Sequence, residues 1–132
     1  MSPYQGVRKK KIVNFCRLNK QKNIPLLISA FEEFCNIHPD YELHIYGDGA
    51  EKETILDIIY SKHLERIIKV FPNTPNVHEL VINAAMFVST SDFEGLSNSM
   101  LEALSMGLPT ICTDCPCGGA RMVIEDGVNG FL

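Results

Sequence analysis

Arg17 and Lys22 lie within six residues of each other, after an apolar β-like run and just ahead of a helical one. Cations placed at the mouth of a parallel sheet, next to a helix start, can hold a phosphate group. The alternative is that they continue the solvated basic stretch from Arg8 to Lys11. A second cluster runs from Ser91 through Asp92, Phe93, Glu94, Gly95 and Leu96 to Ser97. Gly95 lets backbone approach a ligand closely. The helix that starts at Ser97 offers unpaired N–H groups and a positive dipole end to an anion. Glu94 precedes that helix, and Glu102 lies about a turn and a half inside it. Both carboxylates can therefore reach one cleft, Glu94 at its mouth and Glu102 deeper. Carboxylates beside a helix N-terminus suit a hydroxyl-rich ligand, whose O–H groups donate to them. In the competing reading Glu102 pairs with a neighbouring cation and Glu94 faces solvent.

Other constellations are weaker. Cys112-x-x-Cys115-x-Cys117 lacks the fourth ligand that a zinc site needs. Asp92-Phe93-Glu94 has the spacing of an acidic metal-holding pair, but the loop ahead of a helix also explains it. Gly47-Asp48-Gly49 is too short for a dinucleotide fingerprint. His38, His44, His63 and His78 read as surface or capping residues.

The elements that position these residues alternate strand and helix. Strands are predicted at residues 12–15, 43–46, 67–71, 85–88 and 109–113. Asn23 reads as the N-cap of a first helix with Pro25 in its first turn, ended by His38-Pro39. A second helix follows Gly49 and runs to Lys62-His63. Asn76 and Glu79 resemble a capping box for a short third helix. A fourth spans 97–106, stopped by Gly107 with Pro109 beyond. Cys115 to Gly119 reads as loop, residues 121–125 as a short helix, and Asp126-Gly127 as a turn. Such alternation implies a parallel sheet with helices on both faces, whose ligands bind at the carboxyl ends of the strands.

Composition agrees with a folded domain. The chain has 132 residues, 45% hydrophobic and 21% charged, with a net charge of −4. That balance excludes a disordered chain and argues against a general nucleic-acid binder. No apolar run approaches the ~18 residues of a membrane span, and the polar N-terminus has no signal-peptide stretch. Five cysteines do not read as a disulfide framework, which favours a reducing, cytoplasmic setting. The closing Asn129-Gly130-Phe131-Leu132 reads as a turn leading into a further strand, so the chain is expected to be part of a longer one.

Taken together, these motifs resemble the C-terminal, donor-binding half of the retaining group 1 glycosyltransferases (family 4) with the GT-B fold. The resemblance runs from about Lys10 to Leu132. It rests on residues 16–23, 45–49 and 91–103, on Met106-Gly107-Leu108-Pro109, and on residues 125–130. Its most specific element is Glu94-x7-Glu102, followed by Ala103 and Gly107 and preceded by the Arg17/Lys22 pair. The resemblance implies an α/β, Rossmann-like donor domain over residues 1–132, truncated at its C-terminus and without the N-terminal acceptor domain.

It implies that Arg17 and Lys22 meet the donor diphosphate, that Glu94 holds the donor sugar and that Glu102 binds the ribose. The backbone of Gly95, Leu96 and Ser97 would face sugar and phosphates, and Val70 and Phe71 would form the edge where the base rests. The implied ligand is a UDP-, GDP- or ADP-sugar, and no metal or other cofactor is implied. The acceptor is a glycan or lipid-linked glycan met through the missing domain. The whole enzyme is compatible with peripheral attachment to the inner face of a membrane, and bacterial polysaccharide synthesis is the implied setting. Two departures stand out: the family often has a small residue at Cys16, and a glycine where this chain has Pro72. A non-catalytic binding or regulatory module of the same fold, or a GT-B nucleotide-sugar epimerase, would share the architecture. The retained Arg17, Lys22, Glu94 and Glu102 favour the transferase.

Overall fold

The computed structural model describes residues 6–92, 98–113, 124, 126–128 and 130–132. Five strands form one sheet: β1 (Lys9–Phe15), β2 (Glu42–Tyr46), β3 (Ile68–Phe71), β4 (Ala84–Ser89) and β5 (Thr110–Cys112). Their order is β3-β2-β1-β4-β5, and every pairing is parallel. The helices are α1 (Ile24–Ile37), α2 (Lys52–Ser61), α3 (Val77–Val81) and α4 (Asn98–Ser105), with a 3-10 turn over Lys20–Lys22. The chain thus winds outward from β1 to β3, then returns and winds the other way through β4 and β5. This is the doubly wound, Rossmann-like arrangement, with its topological switch between β1 and β4.

Strand periodicity divides the interior in two. Ile12, Leu43, Ile45 and Ile68 face one side, where Leu27, Ile28 and Phe31 of α1 and Ile55 and Ile59 of α2 cover them. Val13, Phe15, Tyr46 and Phe87 face the other, under Val81 of α3 and Met100 and Ala103 of α4. Both faces are therefore apolar, as a parallel sheet with helices on each side requires.

The termini of the elements refine the expectations from sequence. Gly107 (φ 73) ends α4 in a Schellman motif: Leu108 N–H donates to Ala103 O (3.1 Å) and Gly107 N–H to Leu104 O (3.0 Å). Asn23 does occupy the N-cap position of α1, but its φ of 45° is left-handed and its side chain makes no capping bond. Asn76 likewise makes no side-chain cap, and Glu79 N–H donates instead to the Asn76 carbonyl at 3.2 Å. The basic stretch is less solvated than its composition suggests. Arg8 donates to the carbonyls of Ile82 (3.2 Å), Ala84 (2.9 Å) and Gly107 (3.0 Å), and Lys11 to Leu80 O (2.8 Å). Lys10 pairs with Asp40.

Phe131 forms a parallel bridge to Ile111 at the β5 edge, with Cys112 N–H donating to Phe131 O and Phe131 N–H to Thr110 O, both at 2.8 Å. The predicted helix over 121–125 and the loop 115–119 fall outside the described residues, save Ile124, which is buried. Among the described residues no helix is long and apolar enough to cross a membrane.

Candidate functional site

The carboxyl ends of β1 and β2 open into a cleft of about 490 Å³, lined by Phe15, Cys16, Arg17, Tyr46, Asp48, Gly49, Asn73, Val77, Ser99 and Glu102. Its position beside the β1/β4 switch is where open α/β sheets bind ligands.

Arg17 arrives there because the chain leaving β1 stays laced to the chain leaving β2. Cys16 N–H donates to Tyr46 O (3.1 Å), Leu18 N–H to Asp48 O (3.0 Å), and Glu51 N–H to Leu18 O (2.9 Å). Alternation along this extended segment buries Leu18 completely in the α1/α2 core and sends the intervening Arg17 outward. The lacing depends on Gly47 and Gly49. A Cβ at Gly47 would stand 2.0 Å from the Cys16 carbonyl oxygen, and one at Gly49 would stand 2.4 Å from that of Leu18. Gly47-Asp48-Gly49 is therefore a packing motif between two backbones. Asn14, buried on β1, bridges to β4 by donating to Val88 O at 2.7 Å, and the Cys16 thiol donates to Asn14 Oδ1 at 3.0 Å.

The floor is aromatic. Phe15 contacts Phe87 at 5.0 Å between centroids, and Tyr46 stacks on Phe71 at 4.9 Å and 20°. Burial pushes the Tyr46 phenol up from its ordinary value, so it stays a neutral hydroxyl. Asp48 behaves in the opposite way. The Asn73 N–H donates to its Oδ2 (3.0 Å) and Lys52 Nζ to its Oδ1 (3.3 Å), which holds its carboxyl below the usual carboxylate range. The turns after β2 and β3 are thereby joined at the rim.

Glu102 and Ser99 enter from α4, three residues apart and so on one helix face. Glu102 Oε2 lies 2.7 Å from His78 Nε2. Glu102 thus has a hydrogen-bonded histidine beside it, where a neighbouring cation was the alternative expected, and it still lines the cleft.

Lys22 lies on the 3-10 turn, outside the cleft lining; its carbonyl accepts from the Thr90 hydroxyl at 3.1 Å. That hydroxyl also donates to Asn23 O (3.0 Å), while Asp92 N–H donates to Gln21 O and Asn23 Nδ2 to Asp92 Oδ1, both at 2.8 Å. The loop that carries Lys22 is thus fastened to the chain just ahead of Glu94. Val70 and Phe71 fall on opposite faces because strand side chains alternate. Phe71 packs on the cleft's side and Val70 against the α1/α2 core. Glu94, Gly95, Leu96 and Ser97 lie outside the described residues, as do Cys115 and Cys117; Cys112 is buried.

Ser99, Tyr46 and Asn73 also line the cleft, and His78 meets it through Glu102; sequence reasoning singled out none of the four for a site. Ser99 was reachable from helical spacing, three residues before Glu102. His78 was not, since its approach to α4 depends on how α3 crosses the sheet.

Chemically, the cleft offers a guanidinium for an anion, a carboxylate and a serine hydroxyl for ligand hydroxyls, and an aromatic floor. Residues 5–132 match the family of glycosyl transferases group 1, and the chain belongs to that family. Among its relatives is the amylovoran biosynthesis glycosyltransferase AmsD of Erwinia amylovora, 31% identical over 121 residues, covering 91% of this chain and 34% of the relative. A mutant of Staphylococcus aureus TarM in complex with fondaparinux, α-GlcNAc-glycerol and UDP superposes with a TM-score of 0.93 at 30% identity, covering 98% of this chain and 26% of that one. The pneumococcal O-GlcNAc transferase GtfA in complex with UDP and GlcNAc gives a TM-score of 0.88 at 30% identity, covering 96% and 25%. These structural neighbours are GT-B glycosyltransferases. The chain spans about a quarter to a third of the length of each of these relatives.

Proposed function

We propose that this chain is the nucleotide-sugar-binding domain of a retaining glycosyltransferase, which moves a sugar from a nucleoside diphosphate to an acceptor glycan or lipid-linked glycan. The observation that carries the reading is the cleft beside the β1/β4 switch, into which separate elements bring Arg17 and Glu102. A departing nucleoside diphosphate gains negative charge as the glycosidic bond breaks. The Arg17 guanidinium at the cleft, with Lys22 on the adjoining turn, stabilises that charge. Glu102 accepts hydrogen bonds from the ribose hydroxyls, with Ser99 beside it. Glu94 holds the donor sugar, and the amides of Gly95, Leu96 and Ser97 face sugar and phosphates. Phe71, stacked on Tyr46, suits the edge where the base rests; Val70, on the opposite face, does not. Uridine is the base favoured by the neighbours, since both the TarM mutant and GtfA were captured with UDP. The acceptor and the rest of the catalytic cleft belong to the remainder of the enzyme, so this domain by itself binds donor and transfers nothing.

Titration calorimetry with UDP, GDP and ADP tests the assignment. Saturable, one-to-one binding of at least one of them is expected, with UDP the tightest. No heat from any of the three at millimolar concentration would overturn the donor-domain reading.

A further inference from the structure

We propose that His78 is a positioning residue for nucleotide recognition, holding the Glu102 carboxylate in the orientation that meets the ribose. The proposal rests on the reading of Glu102 as the ribose-binding group. His78 Nε2 stands 2.7 Å from Glu102 Oε2, a bond between α3 and α4 that joins residues 24 positions apart. A carboxylate oxygen only accepts, so Nε2 must carry the proton and the ring must donate. The ring is braced edge-on by Phe15, at 6.2 Å between centroids and 82° between planes. Phe15 itself lines the cleft, as does Val77 next to His78, whereas His78 is not part of the lining. The imidazole therefore acts from behind the carboxylate. Occupying Oε2 leaves Oε1 as the oxygen turned to a ligand, and it removes the χ freedom that a half-exposed glutamate otherwise gives up on binding. α3 is held in place for this by Val81, which is fully buried under the β4 side of the core.

The test measures affinities for UDP and 2′,3′-dideoxy-UDP by calorimetry on wild type, His78→Phe, His78→Gln and Glu102→Gln. The phenylalanine keeps a ring against Phe15 and deletes the donor; the glutamine restores a donor without the ring. His78→Phe is expected to weaken UDP about tenfold, the lower end of what one hydrogen bond to a charged group is worth, since the bond lost orients Glu102 and does not itself touch UDP. It should leave dideoxy-UDP unchanged, and His78→Gln should recover UDP to within about threefold of wild type. In a Glu102→Gln background the histidine substitution should have no further effect. The proposal is overturned if His78→Phe leaves UDP unaffected, or weakens UDP and dideoxy-UDP alike, which is the mark of a purely structural role. If His78→Phe does not fold, His78→Ala takes its place in the wild-type and Glu102→Gln backgrounds, an equal loss of UDP affinity in both being adverse. A wild-type protein that binds UDP and dideoxy-UDP equally refutes the ribose role of Glu102 itself, a result separate from any property of His78.

Discussion

Replacing Gly47 by alanine places a methyl carbon 2.0 Å from the carbonyl oxygen of Cys16, where ordinary contact begins at 3.4 Å. The obstacle is backbone, so no side chain can swing aside, and the two chain segments must part by about 1.4 Å. The bonds that hold them, Cys16 N–H to Tyr46 O at 3.1 Å, Leu18 N–H to Asp48 O at 3.0 Å and Glu51 N–H to Leu18 O at 2.9 Å, cannot all survive a displacement of that size. Losing two or three of them at about 1 kcal/mol each gives a destabilisation of roughly 2–3 kcal/mol. With a urea m-value of about 1–3 kcal/mol/M, the unfolding midpoint should fall by about 1–2 M. The segment being pushed carries Arg17, so the folded fraction should also bind UDP about tenfold or more weakly. Gly127→Ala is the control. It meets nothing within 4 Å and bears only the strain of its φ of 80°, about 1 kcal/mol. A Gly47→Ala stability within about 0.5 kcal/mol of wild type, with Gly127→Ala the more damaged, would refute the argument that close backbone approach dictates this glycine.

Arg17→Ala should weaken UDP by about 1.5–3 kcal/mol, the worth of a hydrogen bond to a charged group. Because Arg17 is exposed, the thermal midpoint should hardly change; unaltered affinity in calorimetry would contradict the anion role. Asn23→Ala should cost about 1–3 kcal/mol in urea melts, from its left-handed φ of 45° and the lost bond to Asp92. Asn23→Gly relieves only the backbone part and should recover about half; equal losses in both variants would count against this division. Asp48 has a folded pKa below its unfolded value. Its contribution is therefore complete above the unfolded pKa of about 3.9 and is lost as pH falls through the folded one. Urea melts of Asp48→Asn against wild type should show a difference that is steady from pH 7 to pH 5 and shrinks towards pH 3. A difference that persists unchanged at pH 3 would sink the assignment.

The order of strands and helices was legible because both faces of the sheet are covered. Ala85–Val88 is apolar throughout and Leu43–Tyr46 apolar save for His44, and the helices between them carry apolar residues at helical spacing. Helix ends that depend on backbone alone were legible too, as Gly107 illustrates. What escaped was decided by partners far along the chain. Asn23 and Asn76 look like caps locally, yet the Asn23 side chain is claimed by Asp92, 69 residues away. Arg8 reads as a solvated charge, yet it gathers three carbonyls that only the folded sheet brings together. Arg17 and Glu102, singled out by residue type and spacing, both line the cleft. Val70 and Phe71, expected together at one edge, pack on opposite faces because adjacent strand residues alternate. His78 carries no local signal, because its significance is a contact across two helices.

The place of β1 in the sheet bears on how the molecule comes into being. It is the first strand of this sheet in chain order, yet it sits in the middle, between β2 and β4. Its ladder to Met86 and Phe87, and the bonds that fasten Gln21–Asn23 to Thr90–Asp92, join residues about 67–74 positions apart. During synthesis the wall that carries the cations cannot close until residue 92 has been made. The β1-α1-β2-α2-β3 layer can pair earlier, through shorter loops, but it waits with one edge of β1 open. Closing such long loops is slow relative to local pairing. The wall that carries Arg17 and Lys22 should therefore be among the last parts to acquire protection from hydrogen exchange, and on the proposed reading a growing chain should gain affinity for nucleotide in a single late step rather than by degrees.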